Sequence, residues 1–376
     1  MHKGRIYSAK TKAVLLQFRR MKDTATIPKA TSSRILALDY LRGFFIIIII
    51  SDHLWRWPNL FELLSGRGEL WSSAAEGFVI ISGLLVGYIR GYKNRNQPLL
   101  TVSKKLIARG IMLYIWMIIT TLLLVSASWL LDFEGSMAYV PIPEDHWSEL
   151  ILSVLRLDYV HTLTHFLYLY AIFLVISPLA IWLLRRSKYW IVALTSMVIW
   201  AFGIRDGIEW MQWQILFFIP AVGGFYFEPL IKYYRMLSKK LRYILRLSLI
   251  SITLLTVILA EIKVLSQVPG TYQSILFGRD PITLATVFIS FLWFLGLLSL
   301  FQYLLPWLKK WLGWLLLTFG ERSLTAYILH IVPLVLCALL FKATTNIFVN
   351  TLLSLSCILF TWGLLKIPYI NKVIPR

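Results

Sequence analysis

The side chains best able to move a proton or hold a charge in this 376-residue chain lie in or beside long apolar runs: Asp39, Arg42, Asp52, His53, Glu76 and Arg109. An ionisable group at the centre of a membrane helix costs roughly 2.5–3.5 kcal/mol, so such residues tend to face a cavity or a polar partner. His53 is a candidate general base, because imidazole titrates near neutrality and can accept the proton of a hydroxyl. Beside Trp55 and Trp57 it can equally be an interfacial anchor at a helix end. Asp52 points about 100° away from His53 on a helix. Glu76 is expected on the same half of the following span, where a carboxylate and an imidazole can meet across neighbouring helices. Asp39 and Arg42 are spaced i, i+3 on one face, within reach of an ion pair.

Arg109 follows Lys105 by one turn and is expected at the cytoplasmic mouth of the third span. There it either pairs with phosphates of a cytosolic molecule or anchors the helix by snorkelling. Ser82, Gly83 and Gly87 form a run of small residues that lets helices approach closely. His165 and His330 can be packing or cavity histidines. Cys337 and Cys357 sit inside apolar runs and suit packing, and no HExxH, CxxC, Walker or dinucleotide pattern occurs, so no metal site is expected.

Positioning these residues falls to the apolar segments that hold them. The chain is 58% hydrophobic and 15% charged, with a mean hydropathy of +0.72, more apolar surface than one water-soluble core can hide. The expected fold is all-α, a polytopic membrane bundle of about ten helices at roughly 35–54, 71–91, 107–130, 162–184, 189–204, 213–231, 243–262, 282–304, 323–341 and 346–365. Pro220, Gly223 and Gly224 predict a bend in the sixth of these. KKWLGWLLLTFG at 309–320 is too short to cross and reads as a helix lying at the interface.

Two regions follow, a basic cytoplasmic segment 1–34 and a membrane domain 35–376. The basic start does not read as a signal peptide, because the apolar run Phe44–Ile50 leads into Ser51, Asp52 and His53 with no small-x-small cleavage site. Lys and Arg exceed Asp and Glu by 38 to 18, a net +20. The excess falls in alternate connections, around 90–109, 185–188 and 232–246, whereas 131–161 is acidic. Such alternation places both termini on the cytoplasmic side of the membrane and assigns the positive charge to the lipid bilayer surface rather than to nucleic acid.

LALDYLRGFFIIIIISDH at 36–53 and SSAAEGFVIISGLLVG at 72–87 resemble the opening of the OpgC family, which modifies osmoregulated periplasmic glucans, within the wider acyltransferase-3 kind of membrane acyltransferase. The shared pattern is an LDxLRG-like start with Asp39, Leu41, Arg42 and Gly43, a far-end histidine at His53, and an FxxxSG motif with Phe78, Ser82 and Gly83. WQILFFIPAVGGF at 213–225 and FGERSLTAYILH at 319–330 are similar to later blocks. The resemblance implies transfer of an acyl group, succinyl or acetyl, from cytosolic acyl-CoA to a hydroxyl of an extracytoplasmic glycan. It implies a catalytic role for His53, supported by Glu76 or Asp52, and substrate contacts from Arg109, Arg42, Asp39 and Ser82. The third span opens with KKLIARGIML, without the proline-containing form common in acyltransferase-3 members.

A transporter or flippase is the rival reading, since buried ionisable residues also line substrate pathways. Against it, no inverted repeat is evident and the charges gather in the first three spans. A sensor or scaffold is disfavoured by the lack of a soluble signalling domain. The charge alternation predicts that a cysteine placed at Ser136 is modified by an impermeant thiol reagent in intact cells. Labelling only after the cytoplasm is opened would invert the topology.

Overall fold

The computed structural model describes residues 36–68, 70–131, 142–144, 146–266, 281–370 and 374. The basic segment 1–34, and Asp132, Glu134, Ser136 and Asp145 of the acidic connection, lie outside the described residues. All the α and helical-turn elements that follow belong to the unit Ala37–Arg376, apart from the first residue of the first helix.

Sixteen α-helices are described: α1 Leu36–His53, α2 Glu62–Ser65, α3 Ala74–Leu85, α4 Leu99–Leu130, α5 Trp147–Arg156, α6 His165–Arg185, α7 Tyr189–Asp206, α8 Glu209–Trp213, α9 Ile215–Phe225, α10 Phe227–Met236, α11 Lys239–Ser266, α12 Leu284–Trp311, α13 Gly313–Glu321, α14 Ser323–Leu329, α15 Ile331–Leu340 and α16 Ile347–Leu365. A π-helix, Val86–Lys93, extends α3. Capping fixes several starts in the way the sequence dictates. Ser73 and Glu76 close a capping box at α3, and Thr283 and Asn346 bond backbone N–H groups at α12 and α16.

Seven helices are long and apolar enough to cross a membrane, or eight if α8–α10 counts as one bent span, so the expected ten is not reached by length and composition. Outside that count are α1, 18 residues long but carrying Asp39, Arg42 and Asp52, and α7, whose last residues are Arg205 and Asp206. Both are helical where the apolar runs predicted. The bend in the sixth segment is present: the axis turns by 64° between Phe225 and Phe227, just past Gly223 and Gly224. Pro220 sits within α9 without breaking it.

The segment 309–320 differs from expectation. Lys309, Lys310 and Trp311 finish α12, and Gly313–Glu321 is a separate helix packed against α1 rather than one helix lying on a surface. Its glycines are the reason, since they remove the side chains that would hold two backbones apart.

Two kinds of helix emerge. Only 11% of the apolar window of α11 is buried within the protein, so that helix presents its leucines and isoleucines outward. By contrast, thirteen of the eighteen residues of α1 are buried, including the whole run Ile46–Ile50. Protein rather than lipid surrounds α1, which is why it tolerates charge. Helix-to-helix approach around it and around α3 is set by glycine. A Cβ at Gly320 would stand 1.8 Å from the Asp39 carbonyl oxygen, and one at Gly43 would stand 2.0 Å from that of Leu316. Gly83 and Gly87 meet the backbone of Phe217 and Ala221 in the same way, and Gly224 meets Leu84. The small-residue run of α3 is therefore a packing surface, with van der Waals contact between backbones as its stabilising term.

Gly320→Ala should lower folded yield and thermal stability in detergent, with overpacking costing roughly 1–3 kcal/mol, whereas Gly363→Ala, where no atom lies within 4 Å of the added methyl, should not. Equal behaviour of the two variants in a fluorescence-detected size-exclusion melt would refute the close-packing account.

Candidate active site

Helices α13 and α14 bring the ionisable residues of α1 to their partners. The contact of Gly320 with Asp39 sets α13 along the start of α1, the chain reverses at Arg322, and α14 runs back beside α1 toward its far end. Arg42 Nη2 donates to the Ser323 hydroxyl, and its guanidinium lies over the Phe78 ring at 5.7 Å. Asp39 is buried at the same level. Eleven residues on, about 16 Å at 1.5 Å per residue, His53 meets His330: His53 Nδ1 and His330 Nε2 are 2.8 Å apart.

The histidine pair has a direction. His330 is fully buried, and its Nδ1 faces the carbonyl oxygen of Tyr327, which can only accept. His330 Nδ1 therefore carries hydrogen, and in the neutral ring its Nε2 is the acceptor. His53 Nδ1–H donates to that nitrogen, which leaves the lone pair of His53 on Nε2. Tyr327 packs edge-on to His53, with ring centroids 6.1 Å apart, and its hydroxyl accepts from the Phe166 backbone N–H at 3.3 Å. His161 and His165 are near enough to act electrostatically on His53. His161 Nδ1 accepts from the Leu163 N–H, and His165 pairs with Glu209 at 2.8 Å.

His53 lines a cavity of about 290 Å³ together with Ile49, Asp52, Trp55, Trp57, Arg67 and Ser73. Asp52 thus reaches the same space as His53, although the hydrogen bond that holds the imidazole comes from His330. Glu76 is fully buried, and its Oε2 accepts from both the backbone N–H and the hydroxyl of Ser73. No hydrogen bond joins Glu76 to His53 among the described residues, so the sequence-based pairing is replaced by His330. Ser82 Oγ donates back to the Phe78 carbonyl at 2.9 Å within its own helix.

Because α4 begins at Leu99 rather than 107, Arg109 stands ten residues inside it, and the adjacent Gly110 packs on Ala171, Leu174 and Val175 near the middle of α6. Arg90 sits in the last turn of the π-helix, within electrostatic range of Arg109 and Tyr170. Neither guanidinium has a hydrogen-bond or ion-pair partner among the described residues, and Arg109 Nε is buried. Two guanidiniums on neighbouring helices without an anionic partner among the described residues are chemically suited to an anion. Arg185 closes the end of this region by donating to the carbonyls of Gln97, Arg90 and Asn94.

The arrangement places a hydrogen-bonded histidine pair at one end of α1 and the guanidiniums of Arg90 and Arg109 near the end of the π-helix. Among the described residues no group of three or more His, Cys, Asp or Glu side chains could hold a metal ion. Sequence reasoning missed His330 as a partner and Arg90 altogether. The signal for His330 was present, since it ends the block FGERSLTAYILH; Arg90 was counted only as a loop charge. No curated protein and no solved structure matches the chain. A family model described as OpgC protein matches residues 34–368, nearly the whole length, and the chain belongs to the OpgC family.

Proposed function

We propose that the protein is a membrane O-acyltransferase that moves an acyl group, succinyl or acetyl, from cytosolic acyl-CoA to a hydroxyl of an extracytoplasmic glycan. The family match supports a glucan-modifying transferase in general terms. The observation that carries the chemistry is His53, with Nδ1 held by His330 and Nε2 left as the basic nitrogen of a cavity-lining ring. In this reading the cavity opens on the outer side of a bacterial inner membrane, with both termini cytoplasmic.

The mechanism follows from that tautomer. A sugar hydroxyl is a poor nucleophile until its proton is accepted. As its oxygen attacks the thioester carbonyl, the proton passes to His53 Nε2. The imidazolium is stabilised through Nδ1–H to His330, itself anchored on the Tyr327 carbonyl. When the tetrahedral centre collapses, the C–S bond breaks and His53 Nε2 returns the proton to the leaving sulfur. Arg90 and Arg109 hold an anionic group of the donor, and Arg42, fixed by Ser323, keeps α1 and α14 in register.

His53→Ala should abolish transfer while leaving the protein inserted and monodisperse, because base catalysis contributes ~10²–10⁴-fold. His330→Ala should lower kcat by a smaller factor at unchanged donor KM. His330→Gln, whose amide oxygen can accept from His53 Nδ1, should recover part of the loss. Glu76→Gln preserves the capping box and should stay near wild type. Steady-state transfer of labelled acyl group by the purified variants decides between them: wild-type turnover by His53→Ala removes the base, and a larger loss in Glu76→Gln than in His330→Ala returns the supporting role to the carboxylate.

Arg109→Ala and Arg90→Ala should each raise the donor KM, with kcat at saturation largely retained. Unchanged dependence on acyl-CoA concentration in both variants would rule out the arginine pair as the donor contact.

A further inference from the structure

Four non-glycine residues among those described adopt left-handed backbone conformations, and two of them, Trp55 at φ 54° and Arg67 at φ 57°, line the cavity that holds His53. For an L-residue this conformation is disfavoured, and for a bulky side chain it is an outlier that the surroundings must enforce. At Trp55 the backbone N–H donates to the Asp52 carbonyl at 3.2 Å, which ends α1 in a tight turn. At Arg67 the turn is built from three consecutive left-handed residues, Gly66, Arg67 and Gly68, and the Arg67 side chain is paired with Glu62.

The consequence of the first turn is that the Trp55 side chain, 57% exposed, borders the cavity one turn from the His53 imidazole, with Trp57 beside it. A tryptophan that merely anchors a helix in the headgroup layer needs neither a left-handed backbone nor a place on a cavity wall. Exposed tryptophan, a carboxylate and a guanidinium around one space match the chemistry of a pyranose ring. Such a ring offers a face of polarised C–H bonds to an aromatic π-surface and a rim of hydroxyls to acceptors and donors. Asp52 can accept from a hydroxyl and Arg67 can donate to one, while Nε2 of His53 takes the proton of the hydroxyl that reacts.

We infer that Trp55, assisted by Trp57, is the platform on which a sugar ring of the acceptor stacks, and that it sets the preference of the cavity for a ring over an open-chain hydroxyl. The inference rests on the acyl-transfer reading and extends it to the residues that select the acceptor.

The test uses the full chain purified in nanodiscs, with a linear gluco-oligosaccharide and glycerol as alternative acceptors. Trp55→Ala should raise the oligosaccharide KM roughly five- to tenfold, at unchanged donor KM and unchanged transfer to glycerol. Trp55→Phe, which keeps an aromatic face, should recover most of it, and Trp147→Ala, at an exposed tryptophan on α5, should behave as wild type. Binding is read separately by titrating the oligosaccharide against intrinsic fluorescence with inactive His53→Ala as background. Weaker binding when Trp55→Ala is added supports the platform even where no acceptor is acylated, an outcome that would instead sink the transferase reading. An oligosaccharide KM and affinity unaffected by Trp55→Ala, or an equal loss with glycerol, overturns the inference.

Discussion

The site depends on α1 lying in backbone contact with the segment that follows α12. A helix is a rigid ruler, so fixing one end fixes the other. Gly43 against Leu316 and Gly320 against Asp39 remove the side-chain thickness that normally separates helices. With that separation gone, Arg42 reaches the Ser323 hydroxyl and His53 comes within hydrogen-bond distance of His330. Larger side chains at either glycine would move α1 outward and lengthen both contacts together.

Burial of α1 by protein has an electrostatic consequence. In lipid, Asp39 and Arg42 would each be penalised by lost hydration; within the bundle, hydroxyl, aromatic and backbone groups replace water. The same enclosure makes the histidine pair directional. A fully buried His330 whose Nδ1 faces a carbonyl has one sensible neutral tautomer, and that tautomer dictates which nitrogen of His53 is basic. In this way a backbone carbonyl at Tyr327 orients a side chain two hydrogen bonds away. The hydrogen-bond partner of His53 is an imidazole and not a carboxylate, although Asp52 lines the same cavity.

At the end of the π-helix the logic is reversed. Arg90 and Arg109 lie within electrostatic range of each other with no anionic partner among the described residues, an arrangement an anion would relieve. The π-helix that presents Arg90 belongs to a class of irregularity found frequently at functional sites, and its packing through Gly87 and Gly91 onto α9 holds the wider turn in place.

Much of the architecture was legible in the residues. Apolar run length marked where helices form, and Pro220 with Gly223 and Gly224 announced a bend, because each of these is a local property of the chain. The importance of His53 was legible too, as a histidine closing an apolar helix within a recognisable pattern. The identity of its partner was not: Glu76 and His330 both lay in helices able to reach it, and sequence spacing carries no information about which pair of helices makes backbone contact. Glu76 was already committed to Ser73 three residues away, whereas His330, 277 residues distant, was delivered by the glycine contacts of α1 and α13. Likewise α4 begins at Leu99, eight residues before the apolar run, and Arg90 at the end of the π-helix joins Arg109 only through packing between helices. Sequence set the helices and their chemistry, while tertiary contact, through long-range backbone approach that no local pattern encodes, decided which groups meet.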